Sequence, residues 1–529
     1  MGEGNTIVVL FAVFVSLGGF IFGYDIGYIS GILEMPTFQN DFCNGTTCES
    51  SRSGILVSIL SLGTLAGALF GTPVADFIGR KGAIIAMTLI YMVGVIVQLT
   101  TTGSSIRNLL AGRFVAGMGV GALSALVPMY QGETAPKHLR GTMIACYQVF
   151  ITAGIEVAYC VDYGTRHYTN SASYRIPIGL QLLWGLILAI GGFWLPESPR
   201  YLLSKGRYDD ALKSVATVRS TTVDDPEVVA DIDEMRGKIV EEQKNTRNGW
   251  VECFLGKPKI GYRTTCGIIL QMLQQLTGAS TTCLCNSISM LTGLDFFFYY
   301  GTTVFSQIGV TDPFVVQMIF GAIDFWCTLP GLWYFERFGR RRTLIVGGFI
   351  MFVCYYIYAI VGFTAVNPDG SPTYSGGIAL TVFACFFVFG YASSWGPGTW
   401  ILTGELFPTH VRAKCISLSV SSNWIWNFLV GYFSPTITDK IGTKYGFVFG
   451  SCCAIGILFI FFFIPETRGL SLESMDELWD NLWTTGLKPW QTHNWQPSIS
   501  YADKQRHERS YSDDRIKPQA EHIEHDSNV

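Results

Sequence analysis

Two residues of full charge, Asp25 and Arg113, stand inside stretches of sequence that are otherwise apolar. At the middle of a membrane helix each costs about 2.5–3.5 kcal/mol on insertion scales, which favours pairing or function. A carboxylate beside an arginine stays ionised, and moving the arginine away in an occluded site lets it take a proton. A static ion pair is the plainer alternative. Glu156, in another apolar run, is either a further titratable group or a residue facing a polar cavity. Uncharged polar side chains share these runs: Gln148, Gln274, Gln275, Asn423 and Asn427, with Trp400 just after Gly396-Pro397-Gly398. Buried amides have to be satisfied by protein or by ligand, and the alternative is that they only hold membrane helices together.

A second set of charges occurs twice. Asp76-Phe-Ile-Gly-Arg-Lys81 and Glu336-Arg-Phe-Gly-Arg-Arg-Arg342 share an acid, two spacers, a glycine and a run of bases. Glu133 with Arg140 returns as Glu405 with Arg412, at an identical Glu-x6-Arg spacing. Pro196-Glu197-Ser198-Pro199-Arg200 returns as Pro465-Glu466-Thr467-Arg468. Three matches in one order, at similar offsets, mean an internal duplication. In both halves these signatures close long apolar runs, as in a membrane transporter built from two related bundles.

Composition points the same way. Of 529 residues, 49% are hydrophobic and only 14% charged, against about 25% charged in a soluble domain. The net charge of -4 gives no sign of a nucleic-acid partner. The 14 cysteines mostly lie singly in apolar runs, without zinc spacing, and there they act as small hydrophobes. No metal and no cofactor is expected.

Apolar runs long enough to span a bilayer fall at about 7–22, 54–73, 83–101, 108–130, 142–163 and 176–195. A second six fall at about 264–308, 313–335, 343–363, 377–403, 413–434 and 445–464. The first has no basic start and no cleavage site, so it reads as a retained span with Asp25 within it or at its edge. Residues 31–53 read as a polar loop, with a glycosylation sequon at Asn44 between Cys43 and Cys48 that also allows a small disulfide. This divides the chain into an N-terminal bundle of six helices (1–195), a cytoplasmic linker (196–262), a C-terminal bundle (263–465) and a largely disordered tail (466–529). Helical patterning marks the linker at Ala211–Arg219 and Glu227–Glu242. Lys and Arg concentrate in the short loops at 76–82, 131–140, 336–342 and 407–414, which makes that side, with both termini, cytoplasmic. The seventh run breaks the pattern: as one helix, 264–308 would extend about 67 Å at 1.5 Å per residue, twice the core of the bilayer.

These residues resemble the sugar porter family of the major facilitator superfamily, in its fungal hexose-transporter branch. The resemblance runs from about 20 to 470 and rests on GYDIG, DFIGRK, PMYQGETAP, PESPR, QQLTG, FFYYG, ERFGRR, WGPGTW, GELFP and PETRG. It implies an all-α fold of twelve membrane helices in two pseudo-symmetric bundles, binding one monosaccharide between them and alternating access, in the plasma membrane. Against that family residues 279–293 look inserted, since joining Gly278 to Leu294 gives QQLTGLDFFFYYG; either an unspliced intron or a genuine variant would produce this. Matched position by position, Gln148, Gln274, Gln275, Trp400 and Asn423 stand where the family binds sugar. Tyr299 and Tyr300 stand where it has outer-gate aromatics. Asp295 and Asp324 replace the family's usual Asn, and an ionised acid only accepts. Asp25 and Arg113 match the proton site and its modulating arginine in proton-coupled members, though facilitators also carry that Asp. Asp76, Arg80, Glu133, Arg140, Glu197, Glu336, Arg340, Glu405, Arg412 and Glu466 resemble the family's salt-bridge set between the bundles, which holds the cytoplasmic side shut.

A sugar sensor of the same fold is the minor reading, because such sensors have tails far longer than the roughly 65 residues after Pro465. A membrane enzyme is set aside, since no HExxH, GxSxG or nucleotide loop is present. Within transport, a pentose, polyol, inositol or quinate remains an alternative to a hexose, because pocket specificity turns on single hydrogen bonds.

Overall fold

Backbone amides inside a bilayer have no water to bond, so a chain this apolar has to satisfy them within helices. The computed structural model describes residues 3–43, 50–101, 106–135, 139–245, 250–256, 259–279, 313–365, 374–408, 411–441, 444–470, 474–482, 484 and 486–495. Asn44, Asp295, Tyr299, Tyr300, residues 280–293 of the expected insertion, residues 496–529 and the side chain of Arg140 lie outside what is described.

The first half runs α1 (Glu3–Val15), α2 (Leu17–Glu34), α3 (Pro36–Phe42), α4 (Ser50–Ile78), α5 (Arg80–Leu99), α6 (Arg107–Thr134), α7 (Arg140–Thr165) and α8 (Ala172–Gly192). The linker holds α9 (Pro199–Ser204), α10 (Tyr208–Arg219), α11 (Pro226–Asn245) and α12 (Glu252–Leu255). The second half runs α13 (Ile260–Gln274), α14 (Pro313–Phe338), α15 (Arg340–Thr364), α16 (Tyr374–Gly390), α17 (Gly396–Glu405), α18 (Arg412–Ile441), α19 (Tyr445–Phe463) and α20 (Ser474–Asn481). Among the described residues, nine helical segments are long and apolar enough to cross a membrane. α13, α14 and α18 stand where the sequence predicts the seventh, eighth and eleventh spans.

The first span is longer than its hydropathy suggests. It continues through the Gly-Tyr-Asp-Ile-Gly segment to Glu34, so Asp25 sits in mid-helix rather than at an edge, and much of the expected 31–53 loop is helix. The reason is packing. Gly19, Gly23, Gly27 and Gly31 recur every fourth residue on one face of α2, and α7 lies directly on that face. A Cβ at Gly23 would stand 1.9 Å from the Ile151 carbonyl oxygen, and one at Gly27 2.7 Å from the Ala158 methyl. α4 and α6 interlock in the same way, with Gly63 and Gly67 against the Phe114 and Met118 carbonyls. Small residues let membrane helices approach closely enough for dispersion to hold them.

Two spans are locally underwound. α13 ends in a π turn, Gln275–Ala279, and a second π turn, Tyr391–Trp395, joins α16 to α17. The expected break at Gly396-Pro397-Gly398 is therefore a π turn followed by a fresh helix start with Pro397 in its first turn. π turns often accompany functional sites.

The linker has its own small core, in which Leu202, Leu203, Leu212 and Val215 meet Val228, Ile232 and Ile239. Its two longer helices fall where the patterning predicts them. The described part of the tail is folded. Residues 474–482 and 486–495 pack back on the second bundle: Asp476 pairs with the fully buried Arg263, Lys259 Nζ donates to the Leu482 carbonyl, and Trp490 lies parallel to Phe461 at 5.8 Å. Trp479 and Leu482, apolar residues in a polar segment, are fully buried. At the opposite end of the molecule Cys43 is disulfide-bonded.

Gly23→Ala should destabilise the protein by about 1–3 kcal/mol, because its methyl meets backbone rather than a side chain that can turn aside. Gly164→Ala, with open space around it, is the control. Thermal unfolding of the two variants in detergent should give a lower Tm for the first alone.

Candidate functional site

The three duplicated signatures fold into one assembly per half. Gly79 and Gly339 adopt φ 91° and 90°, a backbone region that disfavours side chains, and start α5 and α15. Glu197 accepts from the Arg80 and Lys81 amides at 2.9 and 3.2 Å. Glu466 accepts from the Arg340 and Arg341 amides at the same two distances. These carboxylates satisfy the open first turn of each helix and sit at the positive end of its dipole. A Cβ at either glycine would run into the capping carboxylate. Burial raises the Glu197 carboxyl above the usual range, against the pull of the Ser198, Lys81 and Arg80 amides and the Arg80 charge.

The arginine of each copy then turns inward. Arg80 binds Glu133 at 3.1 Å and Asp76 at 3.2 Å; Arg340 binds Glu405 at 3.0 Å and Glu336 at 3.6 Å. The hydroxyls that follow the capping acids complete the set. Ser198 Oγ donates to Glu133, and Thr467 Oγ1 donates to Glu405 at 2.7 Å. Among the described residues the expected ion pairs across the bundles are thus ion pairs within each bundle. Each arginine is drawn to acids on the helices beside its own. Contact between the bundles at this end takes other forms. Thr142 Oγ1 on α7 donates to Glu336 Oε1 on α14 at 3.2 Å, Arg340 packs on Gly141, and Arg412 lies within electrostatic reach of Glu133. Arg412 also donates twice to the Phe407 carbonyl, at 3.1 and 2.9 Å.

Deeper in, the amides of α13 and α18 form one network. Gln275 Nε2 donates to Asn423 Oδ1 at 2.9 Å, and Asn423 Nδ2 donates to Gln271 Oε1 and Gln274 Oε1 at 2.7 and 2.8 Å. Gln274 Nε2 reaches the Trp395 and Gly396 carbonyls at 3.3 and 3.1 Å, the junction of the second π turn with α17. Asn427 Nδ2 donates to Gln275 Oε1, and its own Oδ1 accepts from Ser61 Oγ of the first bundle at 2.6 Å. Sequence reasoning passed over Gln271, although three amides at 271, 274 and 275 fall on one helical stripe.

Gln148 differs from these. It approaches from the first bundle, with Nε2 3.4 Å from where a Cβ would stand on Gly396, and among the described residues no hydrogen bond engages it. Its neighbour Tyr147 meets the Trp400 ring edge-on at 5.4 Å, again across the bundles. Gln148, Gln274, Gln275, Trp400 and Asn423 are thereby gathered at one place between the halves. Asp324, on α14, is buried with Oδ1 unpartnered.

Asp25 and Arg113 are both fully buried but are not an ion pair. Among the described residues neither oxygen of Asp25 has a hydrogen-bond partner, although Arg113 and Tyr28 lie within electrostatic reach. Arg113 donates to the Tyr28 hydroxyl at 2.6 Å and to the Leu56 carbonyl at 2.8 Å, and the Tyr28 hydroxyl donates in turn to Gln98 Oε1 at 2.8 Å. The static-pair alternative is therefore not what this conformation holds.

The Sugar (and other) transporter family profile matches residues 11–282 and 279–479. The galactose transporter of Saccharomyces cerevisiae is 39% identical over 500 residues, 93% of this chain and 83% of the relative. The low-affinity glucose transporter HXT4 of the same species (strain JAY291) is 38% identical over 491 residues, 91% of this chain and 82% of the relative. The high-affinity glucose transporter ght2 of Schizosaccharomyces pombe is 37% identical over 536 residues, spanning all of this chain and 96% of the relative. In fold the chain is similar to the proton:xylose symporter XylE bound to 6-bromo-6-deoxy-D-glucose, with TM-score 0.75, 22% identity, and coverage of 90% of this chain and 100% of that one. With a duplicated all-helical architecture and a profile match over most of its length, the chain belongs to the sugar transporter family and has the major facilitator fold.

Proposed function

We propose that this chain carries a hexose such as glucose across the membrane, its two bundles opening alternately to either side. The observation that carries the reading is the buried amide cluster between the bundles. Gln148 of the first half, with an uncommitted amide, faces the Gln274–Gln275–Asn423 network of the second, and Trp400 supplies an apolar face. Sugar hydroxyls need such donors and acceptors, and ring C–H groups need such a face. The yeast relatives, named for glucose and galactose, support the same substrate class. Asp295, Tyr299 and Tyr300 complete the proposed pocket.

Asp25 is the proposed proton site, with Arg113 and Tyr28 setting its charge. A buried carboxyl without partners suits a group that is neutral in one conformation and ionised in another. Asp76, Arg80, Glu133, Arg140, Glu197, Glu336, Arg340, Glu405, Arg412 and Glu466 form the proposed gate. The within-bundle pairs stiffen each half, and the Thr142–Glu336 and Arg412–Glu133 contacts part when that side opens. The excess of Lys and Arg at this end supports a cytoplasmic location for it and for both termini, which leaves Asn44 on the other side for glycosylation; the proposed membrane is the plasma membrane. The family profile match breaks into two stretches that overlap at 279–282, within the segment 279–293 that we read as an insertion.

Uptake of radiolabelled glucose by the full chain in a transporter-null cell tests the function. Uptake that collapses with a protonophore is expected, and its persistence would remove proton coupling. Asp25→Asn should abolish uphill accumulation while leaving equilibrium exchange, measured in proteoliposomes; accumulation by that variant would dismiss Asp25 as the proton site. Gln148→Ala should raise the sugar KM about tenfold, the worth of one hydrogen bond of about 1.4 kcal/mol, with Tm unchanged. Gln274→Ala should raise KM and lower Tm together, because Asn423 and two carbonyls lose their partner. An unchanged KM in both would refute the pocket.

A further inference from the structure

Glu156 takes no part in the amide network or around Asp25. It lies on α7 in the seam with α14, where the two bundles meet. The seam runs antiparallel along both helices. Thr142 lies against Glu336, with Gly141 against Arg340 at the start of α15; Glu156 and Tyr159 pack on Gly321; and the Arg166 guanidinium, just past the end of α7, stands 5.5 Å from the Phe314 ring at the far end.

At Gly321 there is no room for a side chain. A Cβ would stand 2.3 Å from Glu156 Oε2 and 2.9 Å from Tyr159 Cδ2. Oε2 is buried and accepts no hydrogen bond. Among the described residues Oε1 meets the exposed Cys160 thiol, at 3.7 Å. Among the described residues the titratable groups beside it are Cys160 and Tyr159 on its own helix, and the nearest acid along α14 is Asp324, about one turn beyond Gly321. α2 packs on another face of α7, through Ile151 and Ala158. Among the described residues no cationic side chain pairs with Glu156.

Glu156 as a whole is half-buried, but its Oε2 is shut against Gly321 without a partner, and that geometry disfavours the ionised carboxylate relative to the neutral acid. We propose that Glu156 is a proton-operated latch between the bundles: the far end of the α7–α14 seam closes around the protonated acid, and the ionised carboxylate holds it open. On closing, the carboxylate takes a proton from hydronium and releases water. On opening, the carboxyl returns that proton to water. The sign follows: low pH favours the closed seam and high pH the open one. The latch rests on alternating access, not on the identity of the sugar or on Asp25.

Hydrogen–deuterium exchange of the full chain in nanodiscs tests it without substrate, with rates corrected for the intrinsic pH dependence of amide exchange. Protection over 156–165 and 313–321 should fall about tenfold from mildly acidic to mildly alkaline buffer, and Glu156→Gln should keep it throughout. One pH unit past titration leaves about a tenth of the acid protonated. Should Glu156→Gln not fold, Gly321→Ala should lower protection at every pH, and Glu156→Ala combined with Gly321→Ala should restore it. Protection independent of pH in the unaltered chain, an equal loss in Glu156→Gln, or no effect of Gly321→Ala would overturn the latch. Absence of glucose transport alongside the expected protection pattern would count against the transport reading alone.

Discussion

A helix that begins at the edge of a bilayer presents open N–H groups, and leaving them unsatisfied is costly. In this chain Glu197 and Glu466 meet that constraint, and the architecture at this end of the bundles follows from how they do it. To reach the amides of α5 and α15 the carboxylate needs an approach from which Cβ is missing, hence a glycine at positive φ. To stay there it needs the next residue to be a hydroxyl that binds the adjacent glutamate. That glutamate in turn fixes the inward arginine. Removing the cap would loosen a helix start, an ion pair and a helix–helix contact together.

The sequence discloses this region well because its chemistry is local and stated twice. An acid, a glycine and bases at fixed spacing leave few structural solutions, and repetition removes chance. Who pairs with whom is less legible. Glu133 and Arg140 are neighbours on paper, but Arg80 claims Glu133, because pairing depends on which helices touch and no spacing rule encodes that. The length of α2 is hidden for a related reason. Hydropathy weakens at Tyr24 and Asp25, yet the glycine face of α2 packed on α7 carries the helix on to Glu34. The buried Trp479 and Leu482 likewise show that a polar tail can hold a few apolar residues that decide its docking.

The amide cluster was legible as a set of residues and illegible as a network. Counting buried amides names Gln148, Gln274, Gln275 and Asn423 equally, but geometry divides them. Asn423 spends both its donors on glutamines, and Gln274 spends its donors on backbone freed at the π turn. Those groups brace one another, while among the described residues Gln148 keeps an uncommitted amide, the basis of its proposed role toward a sugar. The distinction depends on backbone irregularities at Gln275–Ala279 and Tyr391–Trp395 that have no reliable signature in sequence.

The matching dihedrals of Gly79 and Gly339 have a consequence of their own. Since the two halves descend from one unit, their differences are substitutions already tried on a common backbone. Aspartate became glutamate at 76 and 336, lysine became arginine at 81 and 341, and serine became threonine at 198 and 467. Across all three exchanges the glycine φ moved by a single degree, from 91° to 90°. The molecule thus holds its own comparative experiment: reach and bulk are negotiable here, whereas the sign of each charge and the presence of a hydroxyl are not.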